Sequence, residues 1–240
     1  MIRAFLFFLC FSAPAQAERL VIFAAASLKG PLDGIVAEWE AVSGHRAAVS
    51  YGSSGAMARQ IAAGAPAEVF LSANPAWAEW VAEGRETVSF AGNRMVLVAP
   101  APGTLALTPE ALDAALGEGR LAIGITRAVP AGAYGRAGLE TLGLWGGVAD
   151  RLAETDSVRA ALALVTRGAV PLGLVYASDA MAEPSVHVVA ALPEESHPAI
   201  RYVLVTLRDT DAAVSFAAFL TGPQAGAALA EAGFLPPPEP

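Results

Sequence analysis

Cysteine is almost missing: the 240-residue chain has one, Cys10. It lies in an N-terminal leader, residues 1–17, so the mature chain has no disulfide and no thiol chemistry, and a core of this size needs neither. Lysine is as scarce, with Lys29 the single example, and 15 basic side chains stand against 23 acidic ones for a net charge of −8. Nucleic acid and anionic membranes are poor partners for such a surface. An anionic ligand would have to be held by neutral dipoles more than by cations. The three histidines, His45, His187 and His197, are scattered without metal-ligand spacing and read as surface or loop residues. There is no Walker A lysine, and Gly132, Gly135 and Gly138 run G-x-x-G-x-x-G, which misses the dinucleotide fingerprint. Ser27 is not in a G-x-S-x-G setting and no base is placed beside it, which argues against a hydrolase. No internal repeat occurs, and the one biased tract is the proline-rich end at residues 236–240, read as a loose tail.

The first 17 residues read as a leader rather than as part of the fold. Arg3 gives a positive start, residues 4–11 an apolar run, and Ala15-Gln16-Ala17 an A-x-A cleavage site, so the mature chain should begin at Glu18. The apolar run is well short of the ~20 residues that a membrane span needs. Leu9 rather than a small residue precedes Cys10, which argues against a lipoprotein. Export is therefore expected, and loss of Arg3 makes the charge balance one unit more acidic.

The stretch RLVIFAAASLKGPL at residues 19–32 organises the rest of the chain. It reads as a strand at 20–24 running through a small-residue turn into a helix from about Leu28, where Leu32, Ile35, Val36 and Trp39 recur at helical spacing. Three alanines, Ala24, Ala25 and Ala26, leave the backbone uncovered. Ser27 then either caps the helix or presents its hydroxyl beside unpaired helix N–H groups, a setting that suits an anion.

Short apolar strands alternate with helices along the remaining sequence, the pattern of α/β layers. Strands are expected at 47–51, 68–72, 95–99, 121–125, 172–176, 186–191 and 201–207. Helices are expected at 56–63, after Asn74-Pro75, from Thr108-Pro109 to about 116, at 133–142, at 158–167 behind Asp156 or Ser157, at 211–221 capped by Asp211, and from Pro223 to Gly233. Trp77 and Trp80 read as core. Gly52-Ser53-Ser54-Gly55 forms a second serine-bearing turn between a strand and a helix, and Val129-Pro130-Ala131-Gly132 a bend into another helix. Two lobes of about 100 residues explain the layout better than one domain. They are drawn as residues 18–94 plus 206–240 and residues 95–205, with the Pro/Gly stretch 100–103 marking the passage into the second and the strand at 201–207 able to carry the chain back.

FAAASL (23–28), SSGAMARQIAAGAPAEVFLSA (53–73), VPAGAYG (129–135), DSVRAALALVTRGAVPLGLVYASDA (156–180) and GPQAGAAL (222–229) resemble, in the same order, segments of the periplasmic molybdate-binding proteins of ABC uptake systems. The likeness covers nearly all of residues 19–234. It implies a type II periplasmic-binding-protein fold, α/β, with a mixed sheet and flanking helices in each lobe and crossing strands as the hinge. It also implies one tetrahedral oxyanion held between the lobes. Ser27 and Ser54 would hold it from the first lobe, with Ser53 as a supporting donor. Ala131 and Val158 would offer backbone N–H groups from the second, and Tyr176 its phenolic hydroxyl. Gly55 stands where some relatives carry another hydroxyl.

These residue types suit that ligand chemically. Molybdate, tungstate and sulfate are dianions without a proton at neutral pH, so their site needs donors and no acceptor. Serine and tyrosine hydroxyls and helix-start N–H groups meet that need. Asp156 and Asp179 lie near two of the positions in sequence and read as caps or as acceptors set back from the anion. Arg59 and Arg159 follow two of the binding turns, with helical offsets that point them away. The expectation is an exported, monomeric receptor, not an enzyme, that captures molybdate and also tungstate in the periplasm and delivers it to an ABC permease. No cofactor is called for, and the metal enters only as the centre of the oxyanion, without a direct protein ligand. The rival is a receptor of the same fold for sulfate, thiosulfate or a small organic anion, although an organic ligand would usually want an arginine clamp.

Overall fold

The computed structural model describes residues 19–239. The leader, its cleavage site and Cys10 lie outside the described residues. Among the described residues, ten strands form two five-stranded mixed sheets, and nine α-helices cover them.

The first sheet is built from β1 (Arg19–Ala25), β2 (Arg46–Gly52), β3 (Val69–Ser72), β4 (Thr87–Gly92) and β10 (Arg201–Thr206), in the order β2-β1-β3-β10-β4. β1 is parallel to β2 and β3, while β10 runs antiparallel between β3 and β4. All four residues of β3 are buried, as expected of a strand covered on both faces. α1 (Pro31–Ser43) covers one face with Leu32, Ile35, Val36 and Trp39, all buried, and the edge of Phe216 meets the Trp39 ring at 5.3 Å. α2 (Ser54–Ala62) and α3 (Pro75–Ala82) bury Met57, Ala58, Ala78 and Val81 against the other face.

The second sheet holds β5 (Met95–Ala99), β6 (Leu121–Gly124), β7 (Leu152–Thr155), β8 (Leu172–Tyr176) and β9 (His187–Ala191), in the order β7-β6-β8-β5-β9. β6 is parallel to β7 and β8, and β5 is antiparallel to β8 and β9. Around it lie α4 (Pro109–Leu116), α5 (Pro130–Thr141), α6 (Val158–Thr166) and the short α7 (Ala177–Met181). α8 (Asp211–Leu220) and α9 (Pro223–Glu231) return to the first lobe, where α8 touches α1 and β10.

The structure corrects several expectations. The chain leaves the first sheet through Asn93 and Arg94, directly between β4 and β5, so residues 100–103 are not the passage between lobes. The return lies between β9 and β10 and not at residue 206, because all of β10 pairs inside the first sheet. Strands β4 and β7 and helix α7 are additional to the expected elements. β7 is a four-residue, half-exposed edge strand and β4 is an edge strand buried only in its second half, so neither presents a long apolar run. Residues 26–28 form a 3₁₀ turn, Gly30 follows at φ +100°, and α1 begins only at Pro31. Ser27 thus caps no α-helix. Thr210, not Asp211, caps α8, its hydroxyl accepting from Ala213 N–H. Trp80 is 53% exposed, since α3 turns Ala78, Val81 and Ala82 to the sheet instead.

Candidate functional site

Three helices begin at one place. α2 starts at Ser54 with Ser53 as its cap, α5 starts at Pro130 behind Val129, and α6 starts at Val158 behind Ser157. Ser53 and Ser157 occupy the third N–H of their helices, accepting from Ala56 and Ala160. The earlier N–H groups, at Val158 in α6 and Ala131 in α5, have no carbonyl within their own helix to donate to. Each terminus carries the positive end of a helix dipole, equivalent to about half a unit charge. Positive potential therefore gathers at a point where no cation stands.

That point is a small cavity of about 10 Å³, measured as the space open to the centre of a water-sized sphere, between the lobes, lined by Ala25, Ala26, Ser27, Gly52, Ser53, Ser54, Ala73, Val129, Pro130, Ala131, Val158 and Tyr176. All five expected anion ligands, and Ser53, are among them. Ser27, Ser54, Ala131, Val158 and Tyr176 are each at most 4% exposed. That space is about what one water molecule occupies, far below the ~300 Å³ at which pockets for organic small molecules begin. Its lining offers side-chain polarity only through three serines and one tyrosine, with neither a carboxylate nor a cation.

The hydrogen bonds behind the lining fix what these hydroxyls can do. Ser54 Oγ accepts the N–H of Ala73 at 2.9 Å, which leaves its own proton free for the cavity. Ser27 Oγ lies 2.8 Å from Tyr202 Oη. The Tyr176 hydroxyl is buried with no partner among the described residues. A buried donor left unmet costs about 1–3 kcal/mol, so this hydroxyl calls for an acceptor in the cavity. Burial, with the neighbouring Tyr202, Tyr134 and Asp179, raises the Tyr176 pKa well above the usual tyrosine value, and it remains a donor.

Arg159 and Asp179 form a pair beside the cavity rather than in it. Arg159 Nε is 2.8 Å from Asp179 Oδ1, a close ion pair rather than a well-aimed hydrogen bond. Burial lifts the fully enclosed Asp179 to about 6, against the pull of Arg159 in the other direction. Arg159 also reaches from the second lobe to the first, its Nη2 3.5 Å from the Ser27 carbonyl and 3.4 Å from that of Lys29. Its helical offset does keep it out of the cavity, but the link it makes across the lobes was not legible in the spacing. Arg59 stays on the outer face of α2, over the Trp77 ring.

Gly55 has its own reason for lacking a side chain. A Cβ there would lie 2.4 Å from the Ala128 carbonyl oxygen of the opposite lobe. Tyr202, Asn93 and Gly55 are the residues at this site that sequence reasoning missed or read differently. Each acts through contacts with residues far away in sequence, for which periodicity carries no signal.

The family profile for bacterial extracellular solute-binding proteins matches residues 20–235. The molybdate-binding protein ModA of Escherichia coli is 37% identical over 93% of this chain and 91% of its own length. That of Haemophilus influenzae is 35% identical over 92% and 91%. The solved periplasmic molybdate-binding protein of Azotobacter vinelandii superposes with a TM-score of 0.80 at 26% identity, covering 92% of this chain and all of that one.

Proposed function

From the premise that this chain belongs to the bacterial extracellular solute-binding protein family, we propose that it is the molybdate receptor of an ABC uptake system. The observation that carries this reading is the convergence of three helix N-termini and a buried tyrosine hydroxyl, without a partner among the described residues, on one small cavity lined by no carboxylate. Ser27, Ser54 and Tyr176 donate O–H groups, and Ala131 and Val158 donate backbone N–H groups, to the oxygens of one tetrahedral dianion. Ser53 adds a supporting donor from its cap position. Closing the lobes strips water from the anion and replaces it with fixed donors, which are worth more in that water-poor setting. Tungstate, with the same charge and shape, binds too.

The protein binds and releases its ligand without transforming it, in keeping with the molybdate-binding proteins it resembles. Residues 1–17 direct export, the mature chain works as a monomer in the periplasm, and the closed form is what the permease at the inner membrane recognises. A thermal unfolding scan with molybdate, tungstate, sulfate, phosphate or no anion tests this. A ligand at a hundred times its Kd adds about 2.7 kcal/mol, roughly 5–10 °C for a chain of this size. Such a rise with molybdate and tungstate alone is expected. A rise with sulfate alone, or with none, refutes the ligand assignment.

A further inference from the structure

Tyr202 belongs to no expected set of anion ligands, yet its ring is fully buried and its hydroxyl touches the buried serine of the first lobe's 3₁₀ turn, Ser27. It sits where β10 and β4 slip register, between Tyr202 and Val203. Such irregularities re-aim a side chain out of the regular alternation. Here the hydroxyl is turned toward Ser27 and toward Asn93, which lies on the crossing between the two sheets.

The protons in this cluster can be assigned one at a time. Asn93 Oδ1 accepts the Arg94 N–H at 2.9 Å, which fixes the amide so that Nδ2 faces the other way. Nδ2 then has two hydrogens to give, one to Ser178 Oγ at 2.8 Å and one to Tyr202 Oη at 3.5 Å. With Asn93 donating to it, Tyr202 has its own proton left for Ser27 Oγ at 2.8 Å. Ser27 accepts that proton and so has a single hydrogen to aim, into the cavity. Burial and the nearby Asp179 charge hold the Tyr202 hydroxyl well above the usual tyrosine pKa, so it does not lose the proton on which the order depends.

We infer that Tyr202 is a positioning residue that donates to one lone pair of Ser27 Oγ and so turns the Ser27 proton into the cavity, toward the anion. The inference rests on the reading of this cavity as an oxyanion site and adds what orders one of its donors. Ser54 is held to the same role by the Ala73 N–H. Because Asn93 and Ser178 stand at the lobe crossing and in the second lobe, the order of these protons also depends on the hinge being in this conformation.

The test is a double-mutant cycle on the mature protein by titration calorimetry with molybdate, using Tyr202→Phe, Ser27→Ala and the pair. The Phe ring keeps its contacts with Phe90, Tyr176 and Phe234, so the fold is retained. Tyr202→Phe should weaken molybdate by about threefold to tenfold, the net worth of one hydrogen bond. In the Ser27→Ala background the same change should cost nothing further. Losses that multiply in the double variant, or a Tyr202→Phe protein that binds molybdate as wild type does, overturn the inference. If wild type takes up sulfate in place of molybdate, the cycle is run with sulfate, so the ligand and the relay fail separately.

Discussion

Gly55→Ala should weaken anion binding while leaving the unliganded protein as stable as before or more so. Gly55 is in the first turn of α2, next to Ser54. An added Cβ would meet the Ala128 carbonyl oxygen at 2.4 Å and two ring carbons of Trp77 at 2.9 Å. The half-buried Trp77 ring, held between Trp80 and Arg59, must shift by a few tenths of an ångström. The carbonyl is backbone of the opposite lobe and can retreat only if the lobes part. Ordinary carbon-to-oxygen contacts lie at about 3.3–3.6 Å, so the retreat is about 1 Å at this point. Ala131 follows Ala128 by three residues, and its N–H would withdraw with it. A hydrogen bond lengthened by about 1 Å from its usual ~2.9 Å is lost. Losing one or two bonds to a charged partner, at about 1.5–3 kcal/mol each, is a fall in affinity of at least about tenfold. In the open form the methyl meets no opposing lobe, and alanine in a helix is preferred to glycine by about 0.5–1 kcal/mol. The assay is calorimetric titration with molybdate beside thermal unfolding without ligand. Affinity within twofold of wild type, or a loss of unliganded stability that accounts for the change, would refute this reasoning.

Removing the Tyr176 hydroxyl deletes a buried donor that has no protein partner among the described residues. Tyr176→Phe should therefore weaken molybdate binding by about 1–3 kcal/mol while unliganded stability holds or rises, as paired titrations and melts would reveal. Asp179 bears on pH, because its folded-state pKa is raised, to about 6. The folded protein binds that proton more tightly than the unfolded chain does, so the contribution is fully present below about pH 4 and is lost as pH rises through 6. It amounts to at most about 3 kcal/mol. Asp179→Asn should remove it, so the difference in unfolding free energy between the two proteins should vary between pH 4 and 7; a constant difference would contradict the assignment.

Local order in the sequence carried much of the fold. Eight of the ten strands follow from apolar runs bounded by Gly, Pro or polar residues, and α3 and α4 follow from Asn74-Pro75 and Thr108-Pro109 at their starts. The two missed strands are edges, whose exposed residues have no need to be apolar. The division between lobes was displaced at the return crossing because β10 has the same apolar character whichever sheet it joins. Pairing partners, and not composition, assign it to the first.

The candidate site divides in the same way. Ser27, Ser54, Ala131, Val158 and Tyr176 each lie at the end of a strand or in the first two residues of a turn or helix, and a short segment is enough to mark such a position. That the five line one cavity depends on two lobes meeting. The Tyr202 hydroxyl that orders Ser27 comes from 175 residues away, and the Arg159 guanidinium that meets the Ser27 carbonyl from 132. The bare backbone at Gly55 has its explanation in Ala128, across the gap between lobes. The sequence by itself determined eight of the strands, most of the helices and the donor chemistry, since these arise from neighbours a few residues apart. Only the tertiary structure decided which way each hydroxyl can give its proton and how near the lobes can come, because both are set by atoms that the chain brings together only on folding.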